Sequence, residues 1–425
     1  MTGLLPGREA LPSGRIPARE GGEASHLHFG DLGNSLWRVD MISQFTFQGA
    51  KKILFGQGSI RKLSDEIKAL SGTKVLLVLD QGLEQVGVAQ RVVDPLEANS
   101  VSYVLYDKVT SEPEPVLADE GAALAIKERC DLIVGVGGGS SLDVAKAAAM
   151  LAKNGGKAVD YIGLETVPMP GLPTIMIPTT AGTGSEVTFT AVFTMREKKV
   201  KGGINSRFMY PDLALLDPEL TVSLPPYPTA TTGMDALTHA IEAFTSLQSN
   251  PISDLVAREA ISLIGANLRR AVDRGDDLQA RRDMLLGSLM GGLALASAGV
   301  GACHALAYPL GAFFDIPHGL ANAVLLPYIM AYNLEDAEEK YAQVALLIGA
   351  GATGHSRGVS AKAGVEVVRG LSRDIGIPQR LKDLNIPESA IADMAEMAMT
   401  VARPIANNPR KMTKEAAIKI YQSAF

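Results

Sequence analysis

Cysteine is scarce in this chain. Its 425 residues include only Cys130 and Cys303, which lie far apart in the sequence. A disulfide framework is therefore excluded as the basis of the fold, and the composition favours a reducing compartment, which we expect to be the cytoplasm.

Clusters of positive charge are also missing. The net charge is −6, and no stretch gathers many lysines or arginines, so the sequence does not predict nucleic acid as a partner. Residues 284–314 contain no charged residue and are long enough to cross a bilayer, but they are built from small residues and include His304 and Pro309. We expect a close-packed buried helix there, and no membrane partner.

Residues 1–40 lack apolar periodicity and an apolar run of signal-peptide length, and they are rich in Gly, Pro and Arg. We expect a disordered extension or an upstream start codon there. We expect an α/β dinucleotide-binding domain over 41–223 and an all-helical metal-binding, catalytic domain over 224–425, with a break at the prolines of 225–228.

The α/β prediction rests on short apolar runs that alternate with helical patterns, which is typical of a parallel, doubly wound sheet. The predicted strands are 75–79, 101–106, 132–136, 174–177 and 213–216, with a hairpin formed by 187–194 and 199–204. The predicted helices are 85–98, 116–129, 141–153, 229–247, 251–272, 277–298, 334–349, 358–374 and 388–402.

A glycine-rich loop joins a predicted strand to a predicted helix in LIVGVGGGSSLDVAK, residues 132–146. Gly137, Gly138 and Gly139 allow the backbone to approach a pyrophosphate closely, and Ser140 and Ser141 occupy the expected N-cap. A tight turn without a ligand is the alternative. The pattern G-x-G-x-x-S also departs from the usual dinucleotide fingerprint.

Two further segments are candidates for cofactor binding. Asp80 ends the strand VLLVLD, where a carboxylate can accept hydrogen bonds from ribose hydroxyls and repel a 2′-phosphate; a solvated loop carboxylate is the alternative. The loop IPTTAGTGSEVT, residues 177–188, carries hydroxyl groups suited to a phosphate or a carboxamide, and Lys201 follows it as a cation that can neutralise phosphate. These hydroxyl residues are Thr179, Thr180, Thr183 and Ser185.

Three of the six histidines fall in one region together with an aspartate. In GMDALTHAIEA, Asp235 and His239 lie four residues apart, so on a helix they point the same way. GACHALAYPLGAFFDIPHG adds His304 and His318. Taken singly, each histidine is compatible with an ordinary core histidine, and Asp235 with a surface carboxylate. Together the four residues form a complete oxygen and nitrogen shell for Fe²⁺ or Zn²⁺.

These motifs, in this order, resemble the iron-containing (group III) alcohol dehydrogenases over nearly all of 45–425. The resemblance implies Asp235, His239, His304 and His318 as metal ligands that act in catalysis through the ion. It implies NAD as the cofactor and a homodimer or larger homo-oligomer. The residues implied around NAD are Asp80, Gly137, Gly138, Gly139, Ser140, Asp143, Thr179, Thr180, Thr183 and Lys201. One departure is Tyr308, where some family members have a second histidine, so a proton role of that histidine cannot be transferred.

The resemblance implies reversible hydride transfer between NAD(H) and small primary alcohols or aldehydes. Alternatives on the same fold are dehydrogenases of glycerol, 1,3-propanediol or 4-hydroxybutyrate. A dehydroquinate synthase-like lyase would need cations that 233–247 lacks, and a non-catalytic metal- or nucleotide-binding protein is a third alternative.

The predicted pocket walls are apolar. We expect Leu295, Ala296 and Ser297 to approach the metal and Phe189 and Phe314 to close the walls. The cations near the α/β motifs, at 196, 198 and 199, are better interpreted as a solvated turn. We therefore expect neutral alcohols to be preferred over hydroxy acids, with efficiency rising with chain length.

Overall fold

The computed structural model describes residues 44–198, 200–350 and 356–425. The predicted extension over 1–40, Lys199 and the remaining histidines, His26, His28 and His355, lie outside the described residues. Of Lys198, only the backbone is described.

A six-stranded parallel sheet forms the first half of the described chain. Its strands are β1 (Ile53–Phe55), β2 (Lys74–Val78), β3 (Ser102–Tyr106), β4 (Leu132–Gly137), β6 (Thr174–Pro178) and β9 (Leu213–Leu216). They lie in the order β1-β9-β6-β4-β2-β3. The five predicted strands are confirmed. The edge strand β1 escapes prediction because three residues are too short to show a pattern.

Both faces of this sheet are covered, as its continuously apolar strands predict. Along β2, Val75 and Leu77 enter the core on one face, whereas Leu76 and Val78 enter the core on the other. The covering helices are α1 (Leu63–Ala69), α2 (Gln81–Gln85), α3 (Val88–Ala98), α4 (Pro115–Glu128) and α5 (Gly139–Asn154).

A smaller sheet of three strands stands beside the main one. The predicted hairpin is confirmed as β7 (Thr190–Met195) paired antiparallel with β8 (Val200–Asn205), and β5 (Gly163–Leu164) pairs parallel with β8. The strand β7 begins later than predicted because Ser185–Val187 form a 3-10 turn. Thr183, Ser185, Thr188 and Phe189, in and beside this turn, line a cleft.

Ten helices follow β9 within the described residues, which confirms the fold class of an α/β part followed by a mostly helical part. They are α6 (Pro226–Thr245), α7 (Pro251–Asp273), α8 (Leu278–Ala298), α9 (Ala302–Phe314), α10 (His318–Asn333), α11 (Glu338–Leu347), α12 (Arg357–Asp374), α13 (Ile391–Ala398), α14 (Ala402–Asn407) and α15 (Lys414–Ser423). The helices α9, α10, α14 and α15 are not predicted by the sequence pattern. The largely buried α10 is apolar on nearly every side and therefore shows no helical periodicity.

The uncharged stretch 284–314 is not one helix. It is split between α8 and α9, which meet at an angle of 104° across Gly299–Gly301. Taken singly, none of the described helices is long and apolar enough to cross a membrane, although this bent pair passes the same test of length and composition together. Most residues of both helices are buried in the protein.

A glycine contact joins the loop after β6 to the helical half. A Cβ atom on Gly184, whose φ is +62°, would lie 2.5 Å from the Cα of Gly292 in α8. Any side chain at either position would push the two backbones apart. The two glycines therefore allow the loop 179–188 to lie directly against α8, beside the predicted metal ligands.

Candidate metal centre and cofactor cleft

The structure brings the four predicted metal ligands together from three helices. Asp235 and His239 lie on α6, His304 on α9 and His318 at the start of α10. One donor atom from each residue lies within 4.8 Å of the others. Asp235, His239 and His304 are buried, and the His318 side chain keeps 27% of its surface exposed.

Local geometry explains this convergence. The spacing of four residues puts Asp235 and His239 on one face of α6. A Cβ atom on Gly319 would lie 2.6 Å from the carbonyl oxygen of Thr231, so glycine lets the start of α10 touch α6. His318 is thereby carried to Asp235, and its Nε2 lies 3.8 Å from Oδ1 of the carboxylate.

Hydrogen bonds fix the tautomers of two of the histidines. Nδ1 of His304 lies 2.5 Å from Oε2 of Glu242, and Nδ1 of His239 lies 3.3 Å from the carbonyl oxygen of Gly182. Both partners are acceptors, so each Nδ1 carries the hydrogen. Each Nε2 is left with a lone pair, which is the arrangement that metal-binding histidines require.

Glu242 is a functional candidate that the sequence analysis missed. This buried carboxylate also accepts a hydrogen bond of 2.6 Å from the backbone N–H of Cys303, and thus holds the start of α9 as well as the His304 ring. A signal was available, because Glu242 follows Asp235 by seven residues and His239 by three and so shares their helix face.

The electrostatics of the cluster favour a neutral set of imidazoles around a carboxylate. Burial lowers the pKa of His239, and it lowers the pKa of His318 to about 3. Burial alone would raise the pKa of Asp235, but the three neighbouring imidazoles, chiefly His239, outweigh it and lower that pKa. At neutral pH these shifts keep Asp235 ionised and the rings of His239 and His318 unprotonated.

Asn322 supports the interpretation as a cation site. Its Nδ2 lies 2.7 Å from Oδ1 of Asp235, 3.2 Å from Nε2 of His304 and 3.3 Å from Nε2 of His318. An amide nitrogen has two hydrogens and cannot satisfy three acceptors. The unsatisfied lone pairs and the buried negative charge suit a divalent cation such as Fe²⁺ or Zn²⁺, whose usual ligands include both donor types.

Two neighbouring cavities meet at the first turn of α5. One, of about 830 Å³, is lined by Asp80, Gly138, Ser140, Thr179 and Thr180 among others. The second, of about 530 Å³, contains all four candidate metal ligands together with Gly139, Ser140, Asp143, Thr183 and Lys201. Ser140 lines both cavities. A dinucleotide can therefore extend from Asp80, past the N-terminus of a 16-residue helix, to the metal ligands.

The glycines of the loop have steric roles. Gly137, with φ +141°, would place a Cβ atom 2.6 Å from Oγ of Ser141, and Gly139 would place one 2.7 Å from Cγ2 of Thr183. Gly137 itself lines neither cavity. It supports the loop from behind, whereas Gly138 and Gly139 face the cavities.

Two of the predicted cofactor residues are engaged within the protein. Asp143 accepts hydrogen bonds from Oγ of Ser185 at 2.5 Å and from the backbone N–H of Val192 at 2.8 Å, and it pairs with the buried Lys146. Lys201 forms an ion pair with Glu112. Asp143 thus shapes the loop that faces the cofactor. The neutralisation of a cofactor phosphate by Lys201 stays a prediction.

The walls of the metal-side cavity differ in part from the prediction. Leu295, Ala296 and Phe189 line it as expected. Ser297 instead accepts a hydrogen bond of 2.9 Å from Asn250, and Phe314 packs against the helical core. The prediction failed for these two because only one face of α8 and the earlier part of α9 point into the cavity.

Tyr308 lines this cavity, with its ring centroid 5.9 Å from that of His318. Burial raises the pKa of Tyr308 to about 12, so the phenol keeps its proton at neutral pH. A histidine at this position would accept as well as donate protons near pH 7. Tyr308 therefore offers a hydrogen-bond donor but no readily titrating base.

Family models match both halves of the chain. The model described as iron-containing alcohol dehydrogenase matches residues 50–218, and the model for the C-terminal part of the Fe-containing alcohol dehydrogenase family matches residues 229–425. The two matches contain every residue predicted for the cofactor and the metal.

Individual proteins are similar over most of their length. The long-chain-alcohol dehydrogenase 1 of Geobacillus thermodenitrificans is 41% identical over 373 residues, 87% of this chain and 94% of that protein. The crystal structure of a 1,3-propanediol oxidoreductase is 40% identical with a TM-score of 0.88, covering 90% of this chain and 100% of its own. The NADH-dependent butanol dehydrogenase A of Thermotoga maritima is 29% identical with a TM-score of 0.81, covering 90% and 98%.

Replacing His304 or His318 with alanine tests the metal ligands. Each variant should lose tight binding of Fe²⁺ or Zn²⁺ and lose turnover, since each removes one of four donors, while the affinity for NADH stays close to that of the wild type. Metal content after dialysis and NADH fluorescence titration measure the two effects. Full metal content and activity in either variant would refute the assignment.

Glu242→Gln tests the hydrogen bond behind His304. The single amide oxygen would be taken by the N–H of Cys303, which leaves the amide NH₂ facing Nδ1 of His304 and favours the tautomer with hydrogen on Nε2. We expect metal affinity to fall about 10- to 100-fold, with NADH binding retained, as measured by competition with a metal indicator.

Asp254→Asn is the matched control, because Asp254 is a carboxylate of the same helical half that binds Lys340 and touches no candidate ligand. Equal metal affinity in Glu242→Gln and in this control would show that Glu242 does not position the histidine.

Proposed function

We propose, from the premise that the chain belongs to the iron-containing alcohol dehydrogenase family, that it transfers a hydride reversibly between NAD(H) and small primary alcohols or aldehydes. The divalent cation would be held by Asp235, His239, His304 and His318. The observation that carries this proposal is that these four residues share one cavity with Gly139 and Ser140 of the first turn of α5.

Each group of residues in the cleft has a separate role in the proposed reaction. A bound Fe²⁺ or Zn²⁺ supplies Lewis-acid polarisation of the alcohol or carbonyl oxygen. Glu242 and Gly182 hold the rings of His304 and His239 in orientation and tautomer. The phenol of Tyr308 keeps its proton and can donate a hydrogen bond to an oxygen of the substrate. Leu295, Ala296 and Phe189 exclude water from the reacting atoms.

The cofactor is proposed to lie across the two cavities. Asp80 and Asp107 line the cavity away from the metal, where an adenosine ribose would lie beyond Gly138 and Ser140. Thr179 and Thr180 line that cavity, and Thr183 lines the metal-side one, so the hydroxyl residues follow the same path. The nicotinamide would then lie beside Gly139 and Thr183, facing the cluster.

The substrate is left open within this class. The similar proteins are named for long-chain alcohols, 1,3-propanediol and butanol, so alcohols and diols are the first compounds to test. A lyase is not favoured, because the metal-side cavity of the described residues offers only Lys201 and Arg403 as cationic groups.

Domain organisation, location and assembly are parts of the same proposal. We place the division into two domains between 223 and 224, shortly before α6 begins. Cys130 and Cys303 are buried free thiols, which suits the reducing cytoplasm. Leu247, Ile252 and Leu255 are exposed apolar side chains close together in sequence and suit a homodimer or larger homo-oligomer. Light scattering of the purified protein measures the mass of the assembly.

The function is tested with metal-free protein reloaded with Fe²⁺ or Zn²⁺ and supplied with NAD⁺ and a panel of alcohols and diols. We expect NADH to form only with metal present, and the reverse reaction with the matching aldehydes. Binding of both metal and NADH without turnover of any compound would contradict the proposal and indicate a non-catalytic binding protein.

Asp80→Gly tests cofactor choice. The carboxylate should repel the 2′-phosphate of NADP and bind the ribose hydroxyls of NAD, so the variant should raise the kcat/KM for NADP relative to NAD by roughly tenfold, about 1.4 kcal/mol. Glu84→Gln is the control, since Glu84 is an exposed acid on α2 that lines neither cavity. A wild-type enzyme that already prefers NADP would exclude this role.

A further inference from the structure

One cation in the metal-side cavity has no assigned role. Arg403, on α14, lines the same cavity as Asp235, His239 and His304. Its guanidinium carbon lies 5.6 Å from the ring centroid of Phe189, which lines that cavity as well. The guanidinium is therefore held over a wall of the cleft by the attraction of a cation for an aromatic face.

The charge of Arg403 is not balanced by any carboxylate in the described part of the chain. The other charged groups that line the cavity have partners or a role: Lys201 pairs with Glu112, Asp143 pairs with Lys146, and Asp235 belongs to the metal cluster. Within 44–198, 200–350 and 356–425, Arg403 forms neither an ion pair nor a side-chain hydrogen bond; its stacking on Phe189 is the contact that orients it. Arg403 is exposed, and no other described residue occupies its five N–H donors, which can therefore bind a ligand.

The cofactor phosphates do not account for this arginine. Of the groups that suit a pyrophosphate, Gly138 and Thr180 line only the cavity on the Asp80 side, and Ser140 lies where the two cavities meet. Arg403 does not line the cavity on the Asp80 side. The metal-side cavity would hold the nicotinamide and the substrate, and the nicotinamide ring carries no negative charge for Arg403 to bind. Arginine binds carboxylate, sulfonate and phosphate groups through paired N–H donors, which makes it a strong determinant of anion binding.

We propose that Arg403 selects alcohols and aldehydes that carry an anionic group at the end opposite the reacting carbon. This inference rests on the proposed function, because it assigns the far end of the substrate while the metal cluster holds the near end. It is an alternative to the expectation of neutral substrates, which rests on the apolar pocket walls and on the solvated turn that holds the cations at 196, 198 and 199. Arg196 is paired with Glu114, and Arg403 comes from a segment about 200 residues later in the sequence.

The proposal is tested by comparing anionic and neutral alcohols of equal carbon number. 3-Hydroxypropanoate, 4-hydroxybutanoate and 5-hydroxypentanoate are compared with 1-propanol, 1-butanol and 1-pentanol, and a sulfonate and a phosphate of similar length identify the preferred anion. We expect the wild type to give a kcat/KM at least tenfold higher for the anionic compound at one chain length. Added salt should weaken this preference.

Arg403→Gln should lower the ratio of anionic to neutral kcat/KM at least tenfold, and Arg403→Lys should keep part of it because the charge remains. Arg207→Gln is the matched control: Arg207 is exposed and lies 5.0 Å from the ring centroid of Phe208, but it does not line the cavity. This control should keep the wild-type ratio. NADH affinity in Arg403→Gln should stay within about threefold of the wild type.

The outcomes separate the two proposals. Absence of NAD-linked turnover with every compound would refute the proposed function itself. Turnover of neutral alcohols at least as efficient as that of anionic ones at every length would leave the function intact and overturn the role of Arg403, without any variant being needed. An unchanged ratio in Arg403→Gln, or a loss of its NADH affinity, would also overturn it.

Discussion

A carboxylate with 2% of its surface exposed, that of Asp235, has to be compensated where it lies, since an unpaired buried charge is costly. Around it the fold places three imidazoles, two of which, His239 and His318, have pKa values that burial lowers. The amide of Asn322 beside them has too few hydrogens for the three acceptors within its reach. A bound cation would compensate the buried charge of Asp235 in this environment. The close contacts of Gly319 with α6 and of Gly184 with α8 make this arrangement possible, because they bring the metal-binding side chains and the cofactor loop together.

The cleft combines rigid and adaptable parts. The rings of His304 and His239 are fixed from behind by Glu242 and Gly182, and Asp143 and Lys146 fix the loop that faces the cofactor. The wall formed by Phe189 and Arg403 is more exposed, and among the described residues Arg403 is held there by its stacking on Phe189. This division suits a family in which hydride transfer is shared and the substrate differs, since the chemistry depends on the fixed groups and the selection on the wall.

Much of this was predictable from the sequence, and what was not has physical reasons. The five strands of the sheet follow from short apolar runs, and Asp235 and His239 follow from helical spacing. By contrast, α10 is buried on nearly every side and shows no period, and the break at Gly299–Gly301 inside an apolar stretch gives no pattern of its own. Arg403 reaches the cleft only through tertiary packing of α14, so no local pattern could assign it.

The central claim is that Asp235, His239, His304 and His318 bind one divalent ion in the active cleft. An anomalous difference map from a crystal of the iron- or zinc-loaded protein tests it most directly. The account predicts one strong peak bonded to all four side chains, with distances of about 2.0–2.2 Å for zinc. A peak bound elsewhere, or no peak between these residues in protein shown to contain the metal, would contradict it.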